Sequence, residues 1–174
     1  GRVTNLRKGM PTGLVLDLDF ESDGHIWFAH GAEGATRYDP KAAARGGPEF
    51  ELFKLEAAHL TAPIISVLCA KDGSVWLGSS GSGASRYQGG KFTHYGAAEG
   101  LSGTQVRALL QTPDGAVWFA TEAGAQRFDG TRFELFDRTQ DRLINSDVLT
   151  IFRDARGTLW FGTRAGVTRF DGAA

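Results

Sequence analysis

Three carboxylates alternate along the short run LVLDLDFES, Leu14 to Ser22: Asp17, Asp19 and Glu21. In an extended chain a period of two puts all three on one face, and oxygen donors of that kind suit a hard cation such as Ca²⁺. No matching carbonyl or loop ligands accompany them, so the simpler reading is a solvated channel wall, and no metal is expected. Arg107 and Arg153 lie on comparable runs and are candidates to pair with these acids. Asp17, Asp19, Arg107 and Arg153 are therefore the candidate ligand contacts. Other chemistry is thin. The histidines, His25, His30, His59 and His94, are scattered, with no H-E-x-x-H or Cys/His spacing among them. GSSGSGAS, Gly78 to Ser85, lacks the lysine and the following helix of a phosphate loop. There is no G-x-S-x-G elbow, and the single cysteine, Cys69, forms no internal disulfide. Neither a catalytic residue nor a cofactor is expected.

The elements that position these residues come from a repeat. Trp27, Trp76, Trp118 and Trp160 stand 49, 42 and 42 residues apart, each three residues after a glycine. Around them run DGHIWFAHGAEGATRYD, DGSVWLGSSGSGASRYQ, DGAVWFATEAGAQRFDG and RGTLWFGTRAGVTRFDG. Each unit reads as strand A, a glycine turn, strand B, a second glycine turn, strand C, a third turn and strand D. Strand B is apolar at consecutive positions, so both its faces must be covered. Four antiparallel strands per unit of about 42 residues, covered on both sides, describe the blade of a β-propeller. The insertion PKAAARGGPE lies between strands C and D of the first unit and accounts for its longer spacing; Lys41–Arg45 reads as an extension of that loop.

Val3-Thr4-Asn5-Leu6 aligns with Phe92-Thr93-His94-Tyr95, so the sequence begins with a D strand and finishes on A, B and C. The expectation is an all-β propeller with four blades in residues 1–174: a closing outer strand at 1–6, then blades at about 14–55, 64–95, 105–136 and 147–172, the first strand completing the last blade and removing an open edge. Closure within one chain gives four blades. Two chains exchanging strands give an eight-bladed homodimer ring, favoured because such lean units do not fill wide wedges.

The pattern V-x-x-[IL]-x-x-D-x-x-G-x-[IVL]-W-[FL]-[AG]-[TS]-x-x-G-[AV]-x-R-[FY]-D-G, with connectors GLSGTQV and LINSDV, resembles the two-component regulator propeller repeat. The resemblance implies the extracytoplasmic sensor domain of a bacterial hybrid histidine kinase, hence signal transduction and a periplasmic or extracellular place. The function expected is non-catalytic sensing of a small-molecule or carbohydrate ligand at the channel mouth. The alternatives are a truncated or engineered half-propeller scaffold that assembles into a ring, and a propeller lyase of the streptogramin kind.

With 19 basic and 20 acidic residues the chain has a net charge of -1, which excludes a strongly basic nucleic-acid surface. No apolar run is long enough to span a bilayer, so this segment is expected to make no membrane contact. Columns repeated in every unit read as blade geometry. The tryptophans then pack blade on blade, and Arg37, Arg86, Arg127 and Arg169 pair with turn groups.

Overall fold

The computed structural model describes residues 10–11, 13–140 and 142–172. Val3–Leu6, expected to close the last blade, lies outside them. Four antiparallel sheets follow one another along the chain. Blade 1 holds β1 (Asp17–Phe20), β2 (Ile26–Ala29), β3 (Ala35–Tyr38) and β4 (Phe50–Phe53). Blade 2 holds β5 (Ile64–Cys69), β6 (Val75–Ser79), β7 (Ala84–Gln88) and β8 (Lys91–Tyr95). Blade 3 holds β9 (Ala108–Gln111), β10 (Val117–Thr121), β11 (Gly124–Phe128) and β12 (Phe133–Phe136). Blade 4 holds β13 (Val148–Arg153), β14 (Leu159–Thr163) and β15 (Gly166–Phe170). Strand order within each sheet is sequence order, so every connection is a hairpin. The A strands β1, β5, β9 and β13 contact one another in succession, which places them on the inside of the arc.

The insertion differs from expectation. Instead of a plain loop it contains a short helix, α1 (Pro40–Ala44). Asp39 Oδ1 accepts the backbone N–H groups of Lys41 at 2.7 Å and Ala42 at 3.0 Å, and Pro40 supplies a first helical residue with no N–H to satisfy. Five residues are too few for apolar periodicity to announce them; the cap was the only signal.

Blades are joined through aromatic stacks. Trp27 packs on Phe53 of its own blade at 4.9 Å between ring centroids and on Tyr87 of blade 2 at 5.3 Å. Trp76 meets Tyr95, then Phe119 and Phe128 of blade 3. Trp118 meets Phe136, then Phe161 and Phe170 of blade 4. Each junction thus puts a strand B tryptophan and a strand D aromatic against the B and C strands of the next blade. Within a blade, the glycine just before strand C lets it approach strand D: a Cβ on Gly34 would lie 2.1 Å from the Phe53 carbonyl oxygen, and one on Gly83 2.4 Å from that of Tyr95.

Burial follows the junctions. β6 and β10, with a blade on either side, are buried at every position. β14 alternates between buried and half-buried positions, because Trp160 and Gly162 face outward from the last described blade. Trp118→Ala should therefore cost about 3–5 kcal/mol of stability, and Trp160→Ala well under half of that. Urea unfolding of both variants at high dilution checks the contrast.

Candidate functional site

The inner edge of an A strand carries backbone N–H groups with no strand beyond them, and buried donors need partners. Asp17 and Asp19 supply acceptors. Asp17 Oδ1 accepts the N–H of Leu18 at 2.9 Å and its Oδ2 that of Val67 at 2.9 Å. Asp19 Oδ1 accepts the N–H of Phe20 at 2.8 Å and its Oδ2 that of Cys69 at 2.7 Å. Each carboxylate thus bridges the inner strands of blades 1 and 2. The third acid, Glu21, turns to Arg37 at 2.8 Å. The alternating trio is divided between two tasks and does not converge on one point. Cys69 sits beside this edge, where burial, and then the Asp19 carboxylate, push its thiol well above the ordinary range. It is no nucleophile.

The two candidate arginines lie apart from these acids and from each other. Arg107, on the connector into blade 3, donates to Asp147, to the Val148 carbonyl at 3.0 Å and to Gln105 Oε1 at 3.0 Å. It joins blade 3 to blade 4. Asp147 also receives Arg164, and so holds two guanidinium groups. Arg153 stands at the far end of β13 and has no ion pair among the described residues. The four candidates therefore fall in three places: two at the blade 1–blade 2 inner edge, one between blades 3 and 4, one at the turn end of blade 4.

The other repeated polar groups are committed to the frame. Arg86 pairs with Asp72 at 2.6 Å and Arg127 with Asp114 at 2.7 Å, each joining strand C to the A–B turn. The Thr112 hydroxyl, then Arg127, hold the Asp114 carboxyl below the ordinary carboxylate range. In blade 4 the turn carries Arg156 where the others carry aspartate, and Arg169 pairs with Asp171 instead at 2.8 Å. At the opposite end the B–C turns hold the connectors: Ser82 Oγ accepts from Thr61 and Ala62, and Glu122 accepts from Thr104 at 2.7 Å and Gln105 at 2.9 Å.

Two hollows remain. One of about 370 Å³ lies at the blade 1 insertion, lined by His25, Arg37, Asp39, Glu49 and Glu51 among others. Beside it, donor atoms of Glu21, Asp23 and His25 lie within 4.8 Å of one another. They already satisfy one another and Arg37: His25 Nδ1 is 2.6 Å from Asp23 Oδ1, and that contact holds the Asp23 carboxyl below its usual range. Sequence reasoning missed this cluster, although ESDGH places its members within five residues. The other hollow, about 730 Å³, lies between blades 3 and 4 against Trp118, Phe136 and Phe170, with Arg153 and Arg156 at its rim. At the two preceding junctions the matching strand D aromatic is present: Phe92 packs on Phe53 and Tyr87, and Phe133 on Tyr95 and Phe128.

Four-stranded antiparallel blades in series, packed face to face with their A strands innermost, define a β-propeller. Residues 100–123 and 142–165 each match the model of the two component regulator propeller family, from the connector through strand B to the next turn. These two segments are similar to that family's repeat, around Trp118 and Trp160. No curated protein matches it. Among solved structures it is similar to the extracellular domain of a hybrid two component system from B. thetaiotaomicron, with a TM-score of 0.79 and 17% identity over 97% of this chain and 23% of that one. It is also similar to virginiamycin B lyase from Staphylococcus aureus, with a TM-score of 0.72 and 18% identity over 100% of this chain and 61% of that one. The chain spans less than a quarter of the length of the sensor domain it matches.

His30 is the polar departure with a consequence for pH. Blades 2, 3 and 4 carry Ser79, Thr121 and Thr163 at its place, each hydroxyl donating at 2.8 Å to a carbonyl of its B–C turn. His30 is buried, and neither ring nitrogen has a hydrogen-bond partner among the described residues. Burial, opposed by Glu33, lowers its pKa below 6.5. A histidine kept neutral by folding contributes fully above the unfolded pKa and loses that contribution as pH falls below it. Melting temperatures at pH 7 and pH 5 should fall further apart in the native chain than in His30→Thr; equal differences would show that His30 does not titrate against folding.

Proposed function

We propose that this chain is a non-catalytic ligand-binding module of a bacterial two-component sensor, acting outside the cytoplasm. The observation that carries the reading is the match of two separate repeats to the two component regulator propeller family, together with a fold shared with an extracellular sensor domain. Supporting it, Asp17 and Asp19 are engaged with backbone N–H groups and Arg107 with Asp147 and Gln105. Among the described residues none forms a nucleophile–base pair, and Cys69 is held protonated. No described helix is long and apolar enough to cross a membrane.

The ligand would be read at the inner rim, where polar groups on successive A strands and connectors face one axis. Asp17, Asp19 and Arg107 are the contacts proposed there, with Arg153 at the opposite end of the inner strands. Acceptors on blade 1 and a cation on blade 3 suit a polyhydroxylated ligand, so a carbohydrate is the class to test first. A thermal-shift screen against neutral and acidic oligosaccharides and divalent cations should give a shift of several degrees with a sugar and none that requires a metal. Arg107→Gln should abolish the sugar shift while leaving the unliganded melting temperature within a few degrees.

The second reading is a lyase, favoured by the likeness to virginiamycin B lyase along the whole of this chain. Incubation with quinupristin, the compound bound in one such lyase structure, separates the two. The sensor reading expects the compound unchanged by mass spectrometry, with or without Mg²⁺; its conversion would establish the enzyme.

A further inference from the structure

The A–B turn of blade 1 departs from the other three. It brings together Glu21, Asp23 and His25; at the equivalent three positions blades 2, 3 and 4 each carry one carboxylate, Asp72, Asp114 and Asp154, and no histidine. In blades 2 and 3 the turn aspartate holds the strand C arginine. In blade 1 that arginine, Arg37, is taken by Glu21 instead, through two nitrogens on the single oxygen Oε2. Glu21 Oε1 accepts no hydrogen bond among the described residues. Asp23, released from its usual partner, turns to His25.

These contacts hold the cluster together without balancing it. His25 Nδ1 is 2.6 Å from Asp23 Oδ1 and 3.6 Å from Glu21 Oε2, while Nε2 is 3.7 Å from Asp39 Oδ2. A neutral imidazole has one N–H, so one of its nitrogens presents a lone pair to a carboxylate. Around the ring stand three carboxylates, Glu21, Asp23 and Asp39, against one guanidinium, Arg37, a net charge of −2. A divalent cation on the Nδ1 side answers both the lone pair and the charge.

We propose that Glu21, Asp23 and His25 bind a zinc ion, with Asp39 orienting the imidazole. Two donors on zinc, each at about 2.0–2.2 Å, are at most ~4.4 Å apart. Both contacts of Nδ1 are inside that limit, and donor atoms of all three residues lie within 4.8 Å of one another. Of the alternating acids only Glu21 takes part, and the imidazole nitrogen moves the preference from Ca²⁺ to zinc. With Nδ1 on the ion, Nε2–H is left to donate towards Asp39, the outer carboxylate that fixes a ligating histidine's tautomer. Asp39 also caps α1, so the ion ties the turn to the root of the insertion. Three protein donors leave one tetrahedral position for water or a ligand oxygen. The hollow of about 370 Å³, which His25 lines, gives it room.

Zinc chloride titrated calorimetrically into the untagged chain, first stripped with a chelator, tests this. One zinc ion per chain is expected. In imidazole nitrogen NMR only His25 of the four histidines should respond to zinc, through Nδ1. His25→Ala should abolish binding. Asp23→Asn changes an exposed side chain with little change of shape and should also lose the ion, with unchanged circular dichroism showing that the fold is kept. Asp39→Asn, one shell further out, should weaken zinc binding about 10–100-fold. No bound zinc, binding that survives His25→Ala or Asp23→Asn, or a response at His30, His59 or His94 instead overturns the site. Full affinity in Asp39→Asn overturns the role given to Asp39. The titration contains no sugar and leaves the inner-rim residues unaltered, so the sensing reading stands or falls separately; the sugar shift is expected in the zinc-free chain too.

Discussion

A sheet of four short strands with apolar residues on both faces is insoluble by itself. Everything else in this chain follows from the need to give each such sheet a neighbour on either side. The coupling is concentrated in one contact, the strand B tryptophan inserted between its own strand D aromatic and the next blade. Trp27, Trp76 and Trp118 each make it, at centroid distances of about 5 Å. Aromatic pairs of this kind add to the burial of large surfaces, so the junction is strong for its size. It also fixes the spacing of the inner strands. The fully buried β6 and β10 and the alternating β14 are one sequence pattern in two environments, and the difference between them measures what a neighbour contributes.

That constraint sets the terms for every polar group. Inner strands bring unpaired N–H donors together near the axis, and side chains must answer them. Asp17 and Asp19 do so for blades 1 and 2; Gln111 does so for Lys71 at 2.8 Å between blades 2 and 3. The connectors are held by Ser82, Glu122 and the Arg164–Asp147 pair at the B–C turns. A polar residue that breaks the repeat is thus not automatically left over for a ligand, because the frame itself consumes irregular donors and acceptors.

Much of this was legible in the sequence, and the limit is physical. The period of the tryptophans, the paired glycines and the unbroken apolar run of strand B each express a local requirement, so blade, hairpin order and buried faces could be read directly. The pairing of the arginine column with turn acids could be read for the same reason: Arg127 and Asp114 belong to one repeat and recur in register. The partners of Asp17 and Asp19 could not be read, because they are backbone N–H groups fifty residues away on another blade, and backbone donors leave no mark on residue type. Arg107 was singled out, but its partner is Asp147, brought close by the same inter-blade step. The α1 cap and the Glu21–Asp23–His25 cluster were legible in principle, since Asp39-Pro40 and ESDGH are local; neither recurs, so the repeat drew no attention to them.

The two aspartates do one more thing that identical leucines would not. Four near-copies of one sheet can in principle pack in any order, since each presents the same aromatic faces to the others. At the positions of Asp17 and Asp19, blade 2 has Ser66 and Leu68, blade 3 Ala108 and Leu110, and blade 4 Thr150 and Phe152. Only blade 1 offers two carboxylates to the inner edge that follows it, where the N–H groups of Val67 and Cys69 meet them. Asp17 and Asp19 are half-buried there, and a strand without free donors at that edge would leave both without these partners. Aromatic stacking makes the junctions strong and alike, and the carboxylates mark the one between blades 1 and 2. In a repeat chain such differences, Gln111 to Lys71 and Arg107 to Asp147 among them, give each junction its own polar link.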